Sequence, residues 1–194
     1  MIVGWSPLQT ATDPLQPIAY LFDTEVLKDV GGRFVHEGRS VAPELLFGSK
    51  NIFLRAVHAL TFKNKYRVCT LSFHADEVDV AAFNRGDRVL RAQVAATIET
   101  FLDVAFAGIP NDNRPPVVVG THTHTGRLEI NIAMPRFVWS ADGKVRSYNP
   151  HPPTRGSQKL WDAFGDFICA VFNWINPRTE TALAAIKGPH WVEK

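Results

Sequence analysis

The stretch VVVGTHTHTGRLEINIAMP, residues 117–135, constrains the fold more than any other part of this chain. In its second half, apolar residues alternate with other residues, which is the period of a β-strand that has one face in the core. Its first half is a run of strand-forming residues, and we take Thr125-Gly126 as a two-residue turn between the halves. The stretch therefore predicts an antiparallel hairpin, which needs further strands and a covering layer to bury its apolar face.

The same hairpin carries a set of polar side chains that converge if the turn is placed in this way. The register then pairs His124 with Arg127, His122 with Glu129, and Gly120 with Asn131. Directly paired residues project from one face with β-carbons about 5 Å apart. An imidazole, a carboxylate and an amide oxygen form a mixed nitrogen and oxygen set that suits Mg²⁺ or Mn²⁺ better than a structural zinc ion. The alternative is an ordinary cross-strand pair on a wet sheet face.

The rest of the chain supplies elements that can surround this hairpin. Strands are predicted at residues 1–5 and 66–73, and a second hairpin at 136–149 turns at Asp142-Gly143. Helices are predicted over 17–25, 49–61, 85–107 and 158–173, and a polar, glycine-containing loop over 29–43. This pattern predicts the α+β class, with an antiparallel sheet of about five strands and helices packed on one face.

Composition indicates a soluble domain of one core. The chain has 194 residues and is 45% hydrophobic, which suffices for one well-packed domain. No apolar run has the length of a membrane span, and the N-terminus lacks a signal-peptide pattern. Cys69 and Cys169 stand in apolar runs and are expected to be buried, reduced thiols. We therefore expect a cytoplasmic protein of bacterial type, without membrane insertion.

The charges are segregated although the net charge is only +2. Residues 45–73 contain five basic side chains and no acidic one, and residues 127–159 contain six basic and two acidic side chains. A segregated positive surface suits a polyanionic partner, because each neutralised phosphate releases counterions. A solvated face with no partner is the alternative interpretation.

The segment HTHTGRLEINIAMP resembles the metal-binding motif of plasmid mobilisation relaxases, which nick single-stranded DNA and belong to the HUH endonuclease superfamily. Their usual pattern is H-x-D/E-x4-H-x-H. Here His122 matches the first histidine, while Glu129 and Asn131 stand at the offsets of the last two, as in the His-Glu-Asn (HEN) branch of the MOBP-type nucleases. The resemblance spans roughly residues 1–175 and includes the blocks MIVGWSP, QPIAYLFD, KYRVCTLSF and RSYNPHP.

The resemblance implies an HUH-like fold and a tyrosine nucleophile near the N-terminus, for which the matching position is Tyr20. It implies that Tyr20 nicks one strand at a plasmid origin of transfer, forms a 5′-phosphotyrosine, and rejoins the strand after mobilisation. It also implies a divalent metal ion, Mg²⁺ or Mn²⁺, bound by His122, Glu129 and Asn131. Independently of the resemblance, a helix begun by Pro17 would place Tyr20 in a first turn whose N–H groups stabilise phosphate.

Further residues and partners follow from the same resemblance. Residues 1–176 would form the catalytic domain and 177–194 a C-terminal extension. The partners would be single-stranded DNA, an accessory relaxosome protein and a type IV secretion coupling protein. The side chains expected to orient a metal ligand or touch DNA are His124, Arg127, His151 and Tyr148. Those expected to bind the DNA backbone are Lys63, Lys65, Arg67, Arg136, Lys144, Arg146 and Arg155. Base stacking is assigned to Phe34, Trp139 and Tyr148.

Two other functions remain open at this stage. One is a different metal-dependent phosphoesterase, in which the His-Thr-His segment at residues 122–124 supplies a pair of histidine ligands. The other is a relaxase-like module that binds single-stranded DNA without cutting it. Replacing Tyr20 by phenylalanine separates all three, because only a relaxase requires this phenol for nicking and forms a covalent adduct through it.

Overall fold

A computed structural model describes residues 1–6, 14–39, 41–123 and 126–179 of the chain. The strands are β1 (Ile2–Trp5), β2 (Glu25–Val30), β3 (Arg33–Gly38), β4 (Leu45–Phe47), β5 (Tyr66–Ser72), β6 (Val118–His122), β7 (Glu129–Pro135), β8 (Phe137–Trp139) and β9 (Val145–Ser147). The helices are α1 (Leu15–Phe22), α2 (Lys50–Ala59), α3 (Val80–Asn84), α4 (Arg88–Ala105) and α5 (Arg155–Phe172), and Asn111–Asn113 form a 3₁₀ turn.

Five strands form the central sheet in the order β1-β5-β7-β6-β4, and every neighbouring pair is antiparallel. The predicted hairpin, β6 and β7, lies in the middle of this sheet. The pairs β2-β3 and β8-β9 form separate two-stranded ribbons. The predicted α+β class, with a five-stranded antiparallel sheet and helices packed against it, is confirmed.

Short polar side chains set the start of three helices. The Ser49 hydroxyl accepts a hydrogen bond from the backbone N–H of Ile52 at the start of α2, and Asp79 caps α3 in the same way. Asp87 accepts two backbone N–H groups at the start of α4. Each cap satisfies N–H groups that have no partner inside the helix.

One face of the sheet is covered by the two long helices, α4 and α5. The alternate residues Ile130, Ile132 and Met134 of β7 are fully buried there, as the alternation predicts. They pack in one cluster with Phe101 from α4 and Trp161 from α5. Both cysteines belong to this cluster and are free thiols, as expected, and burial raises the pKa of the Cys69 thiol well above its ordinary value.

The opposite face is covered in part by the shorter helices α1 and α2. Ile18 and Phe22 of α1 pack with Phe53 and Val57 of α2 against the sheet, where they meet Ala133 of β7. Each of these two helices is 8 to 10 residues long. They leave part of the β5-β7-β6 surface without a helix above it, and this opening positions the site described below.

The predicted loop over 29–43 is wrong for most of its length. Residues 25–38 form the β2-β3 ribbon, which turns at Gly31-Gly32, and β4 follows at residue 45. Both glycines have positive φ angles, 63° and 84°, which is the geometry of a two-residue hairpin turn. All six residues of β3 are exposed, so this strand lacks the buried alternate face by which strands are recognised in a sequence.

Two further outcomes concern the ends of elements. Helix α1 begins at Leu15 rather than at Pro17, which lies within the first turn, where its missing N–H costs no hydrogen bond. The C-terminal extension predicted over 177–194 lies almost wholly outside the described residues. In the described part of the chain, every helix is too short or too polar to cross a bilayer.

Candidate active site

The register of the central hairpin is the predicted one at the polar positions. His122 is paired with Glu129, and Gly120 is paired with Asn131. The His122 and Asn131 side chains are buried, with 4% and 3% of their surface exposed, while Glu129 is half-buried at the start of β7. The third predicted pair, His124 with Arg127, and the turn residue Thr125 cannot be compared, because His124 and Thr125 lie outside the described residues.

Helix α1 lies directly on this hairpin because Gly120 has no side chain. A β-carbon at Gly120 would lie 2.7 Å from Cδ1 of Phe22 and 3.0 Å from the Glu44 carbonyl oxygen. Such distances are closer than carbon and oxygen atoms pack. The glycine therefore lets α1 approach β6, and the approach brings Tyr20 to the polar residues.

A hydrogen bond fixes the ring of His122 against the same helix. Its Nε2 lies 2.8 Å from the carbonyl oxygen of Leu21. Because a carbonyl only accepts, Nε2 carries a proton, and Nδ1 is the nitrogen that could bind a metal ion. Metal-binding histidines are held in this manner, with one nitrogen donating to a backbone carbonyl and the other facing the ion.

The amide of Asn131 is buried with one hydrogen bond unmade. Its Oδ1 accepts from the Thr70 hydroxyl at 2.8 Å, while Nδ2 has no hydrogen-bond partner in the described part of the chain. A hydroxyl both donates and accepts, so a half-turn of the amide keeps the bond to Thr70 and leaves the oxygen as the atom without a partner. A bound cation would satisfy that oxygen.

The Glu129 carboxylate has no hydrogen bond or ion pair with a described residue. It stands between His122 on β6 and Ser72 on β5. Together His122, Glu129 and Asn131 provide one imidazole nitrogen, one carboxylate and one amide oxygen, which is a donor set fit for Mg²⁺ or Mn²⁺. Among the described residues, no cluster of three or more His, Cys, Asp and Glu side chains is arranged to hold a metal ion. The present set has only two such residues, and the asparagine completes it.

Tyr20 extends from α1 over this polar set. The side chain is 55% exposed, and its ring meets the His122 ring edge to face, with centroids 5.9 Å apart. The guanidinium of Arg39 lies on the Tyr20 ring, with Cζ 5.2 Å from the ring centroid. The phenol is therefore open to solvent while its ring is held by two neighbours.

These groups surround one open cavity of about 500 Å³. Its walls include Tyr20 from α1, His122 from β6, Thr70 from β5, and Glu129 and Asn131 from β7. The structure thus brings together all four residues predicted for nucleophilic attack and metal binding. The sequence pattern did not indicate Thr70 or Arg39. Thr70 could have been found as the residue across from Asn131 on a third strand, whereas Arg39 has no local signal.

One sequence argument for Tyr20 is wrong. Helix α1 begins at Leu15, so Tyr20 is its sixth residue and lies in the second turn. The free N–H groups and the positive end of the helix dipole are confined to the first turn. They are therefore too far along the helix to act on a phosphate at the Tyr20 hydroxyl.

His151 and Tyr148 do not line this cavity. His151 stacks on Trp5 with centroids 5.0 Å apart, and its Nδ1 lies 2.6 Å from the Ser157 hydroxyl. Burial and the nearby Arg67 charge lower the pKa of His151. The Tyr148 hydroxyl donates to the carbonyl oxygen of Ala105, and burial raises the pKa of this phenol. Both side chains support loop packing, and a contact of either with DNA stays a prediction.

The predicted DNA-binding cations fall into two groups. Arg67 donates to the carbonyl oxygens of Ser6 and His151, so it holds two loops together. Burial lowers the pKa values of Arg67 and of Arg136, and the Arg136 charge lowers that of Arg67 further. Lys65 is half-buried, whereas Lys63, Lys144, Arg146 and Arg155 are exposed, as is Arg127. Lys144 and Arg146 pair with Asp142 at 3.2 and 3.6 Å.

Comparison of the chain with models of protein families, with curated proteins and with solved structures finds no match.

Proposed function

We propose that this chain is a metal-dependent transesterase of the relaxase type, which nicks one strand of DNA and rejoins it. The observation that carries the proposal is that one open cavity is lined by Tyr20, His122, Glu129 and Asn131 together. A phenol from α1, an imidazole from β6, and a carboxylate and an amide from β7 converge there. The motif resemblance to HEN-branch relaxases supports the same assignment of roles.

In the proposed reaction, the Tyr20 hydroxyl oxygen attacks the phosphorus of a DNA phosphodiester. The new bond joins that oxygen to phosphorus, and the bond from phosphorus to the 3′ oxygen breaks. The phenol loses its proton and the departing 3′ oxygen gains one, so the products are a 5′-phosphotyrosine and a free 3′-hydroxyl. One phosphodiester replaces another, so attack by a 3′-hydroxyl reverses the step and rejoins the strand.

The metal ligands in this proposal are His122, Glu129 and Asn131. When bound, Mg²⁺ or Mn²⁺ would polarise the scissile phosphate and offset the charge that develops during attack. The chain's own part is to fix the donors. Leu21 fixes the tautomer of His122, and Thr70 holds the amide of Asn131. The exposure of Tyr20 allows a DNA strand to approach its hydroxyl.

Single-stranded DNA at an origin of transfer is the proposed substrate. The exposed cations Lys63, Lys144 and Arg155 are candidates for contacts with its backbone. We also propose the partners that the relaxase resemblance implies, namely an accessory relaxosome protein and a type IV secretion coupling protein.

Trapping a covalent adduct tests the proposal without knowledge of the nick site. A random-sequence pool of single-stranded DNA, labelled at the 3′ end, is incubated with the protein and Mn²⁺ and run on a denaturing gel. The 3′ portion of a cleaved strand carries the 5′ phosphate, so we expect label at the mass of the protein. Sequencing of the trapped DNA then gives the preferred site.

Two variants establish the nucleophile. Tyr20→Phe should abolish the adduct while single-strand binding, measured by fluorescence anisotropy, is kept. Tyr66→Phe is the matched control, since Tyr66 lines the same cavity, and its adduct should persist. Binding of DNA without any adduct in the unmodified protein would support the non-catalytic module, and turnover that survives Tyr20→Phe would support another phosphoesterase.

A further inference from the structure

The Arg39 side chain contacts helix α1, which carries Tyr20, although Arg39 lies 19 positions further along the chain. It follows β3, and its backbone N–H donates to the carbonyl oxygen of Thr24 at 2.9 Å, which closes the base of the β2-β3 ribbon. Its guanidinium extends to α1, where Nη2 donates to the carbonyl oxygen of Tyr20. The same group lies on the Tyr20 ring, with Cζ 5.2 Å from the centroid. One side chain therefore contacts both the backbone and the ring of this tyrosine.

The Tyr20 ring needs such contacts to keep one orientation. It is more than half exposed on a helix of eight residues, and an exposed side chain changes rotamer in picoseconds to nanoseconds. The ring also meets the His122 ring in an edge-to-face contact. A cation–π contact at an exposed site contributes about 0.5–1 kcal/mol, which favours the rotamer in which the ring meets both neighbours.

We propose that Arg39 is a positioning residue for Tyr20, which holds the phenol ring in the orientation in which it meets His122. The inference rests on the proposed function and extends its active site to the base of the β2-β3 ribbon. A guanidinium suits this task because it can donate to a carbonyl oxygen while its flat face lies on an aromatic ring, and because its charge persists at every physiological pH. A nucleophile misplaced by about 1 Å loses on the order of a hundredfold in rate.

The decisive measurement is the rate of adduct formation in a single turnover at saturating DNA. We expect Arg39→Ala to lower this rate by about tenfold to a hundredfold, with little change in the DNA concentration that gives half the maximal rate. Arg39→Lys keeps the charge but loses the planar donors, and should recover part of the rate. Arg33→Ala is the matched control, since Arg33 is an exposed cation at the tip of the same ribbon, and it should leave the rate unchanged.

Chemical rescue separates positioning from a purely structural role. Guanidinium chloride at low millimolar concentration should raise the rate of Arg39→Ala and leave that of Tyr20→Phe at zero. A rate for Arg39→Ala equal to that of the unmodified protein would overturn the inference. So would a loss of rate without rescue that accompanies an equal loss of folded protein in thermal unfolding.

A second readout does not depend on nicking. Protein labelled with 3-fluorotyrosine has three tyrosine resonances, and Tyr20→Phe identifies the one from Tyr20. Arg39→Ala should move and sharpen that resonance, while those of Tyr66 and Tyr148 stay in place. An unmoved resonance would refute the positioning role even if adducts form. If the unmodified protein forms no adduct but the resonance moves, the proposed function fails while the contact between Arg39 and Tyr20 stands.

Discussion

The two faces of the central sheet are built from the same strands and are used in opposite ways. On the face under α4 and α5, β7 contributes Ile130, Ile132 and Met134, all fully buried among aromatic rings. On the face under α1 and α2, the same strand contributes Glu129 and Asn131 to an open cavity. The first face is a packed interior, and the second has polar atoms in places where apolar side chains would pack better.

The two faces differ in the polar groups that they bury. A buried polar atom without a partner costs about 1–3 kcal/mol, and Nδ2 of Asn131 is such an atom. The packed face carries this cost at the indole N–H groups of Trp5 and Trp161, but the residues that β7 contributes to it are all apolar. Substitutions on the packed face should therefore reduce stability, and substitutions on the cavity face should reduce binding or rate at constant stability.

The largest effect is expected on the packed face at Trp161. This ring is 1% exposed and lies 4.8 Å from Phe101 and 5.0 Å from Trp5, centroid to centroid. Trp161→Ala should lower the free energy of unfolding by about 3–5 kcal/mol, because it leaves a large cavity. Urea denaturation measures this change. Leu160→Ala, at a 47% exposed position on the same helix, should change it by less than about 0.5 kcal/mol.

The next largest effect is expected on the cavity face, where a substitution should lower the affinity for a metal ion. Glu129→Gln removes the carboxylate from the proposed ligand set and should weaken Mn²⁺ binding by about a hundredfold, which equals about 2.7 kcal/mol. Titration calorimetry with MnCl₂ alone measures the affinity, and urea denaturation should show nearly unchanged stability. Glu99→Gln, at an exposed carboxylate on α4, is the control. Equal Mn²⁺ affinity in both variants would exclude Glu129 as a ligand.

A smaller change at the contact between α1 and the sheet should affect both properties. Gly120→Ala places a methyl group 2.7 Å from the Phe22 ring, so α1 must shift outward at a cost of about 1–3 kcal/mol. Adduct formation through Tyr20 should slow by more than the folded fraction falls. Gly4→Ala is the matched control, because its β-carbon would meet the Thr70 carbonyl oxygen at an ordinary 3.7 Å. If Gly120→Ala lowers stability by more than it lowers the rate, adduct formation does not depend on the contact between α1 and β6.

The smallest effect is expected in the pH dependence of the free energy of unfolding. It concerns His151, which stacks on Trp5 at the edge of the packed face. Burial and the Arg67 charge hold the pKa of His151 below its ordinary value of 6.5. The unfolded chain therefore binds the proton more readily, and this contribution to stability is complete above about pH 6.5 and is lost as the pH falls towards the folded pKa. His151→Gln should make the free energy of unfolding fall less between pH 6.5 and 5. If the free energy of unfolding depends on pH identically in the unmodified protein and in His151→Gln, this prediction is wrong.

The central hairpin and the meeting of His122, Glu129 and Asn131 followed from the sequence because they depend on local periodicity. Alternation fixed which residues of β7 share a face, and the turn position fixed the pairing of His122 with Glu129. The β2-β3 ribbon escaped prediction because β3 is exposed on all sides, although the Gly31-Gly32 pair between two runs of strand-forming residues was a usable signal. Arg39 and Thr70 were missed because their role depends on which distant segments meet, and periodicity carries no such information.

The hydrogen bond from His122 to the carbonyl oxygen of Leu21 joins positions 101 residues apart. During synthesis, the segment that holds Tyr20 leaves the ribosome long before the hairpin that holds the imidazole. The two halves of the cavity therefore meet only after most of the chain has been translated and the hairpin has docked. A nascent chain ending before β6 would possess the Tyr20 phenol but not His122, Glu129 or Asn131, so the cavity is complete only when folding is nearly finished.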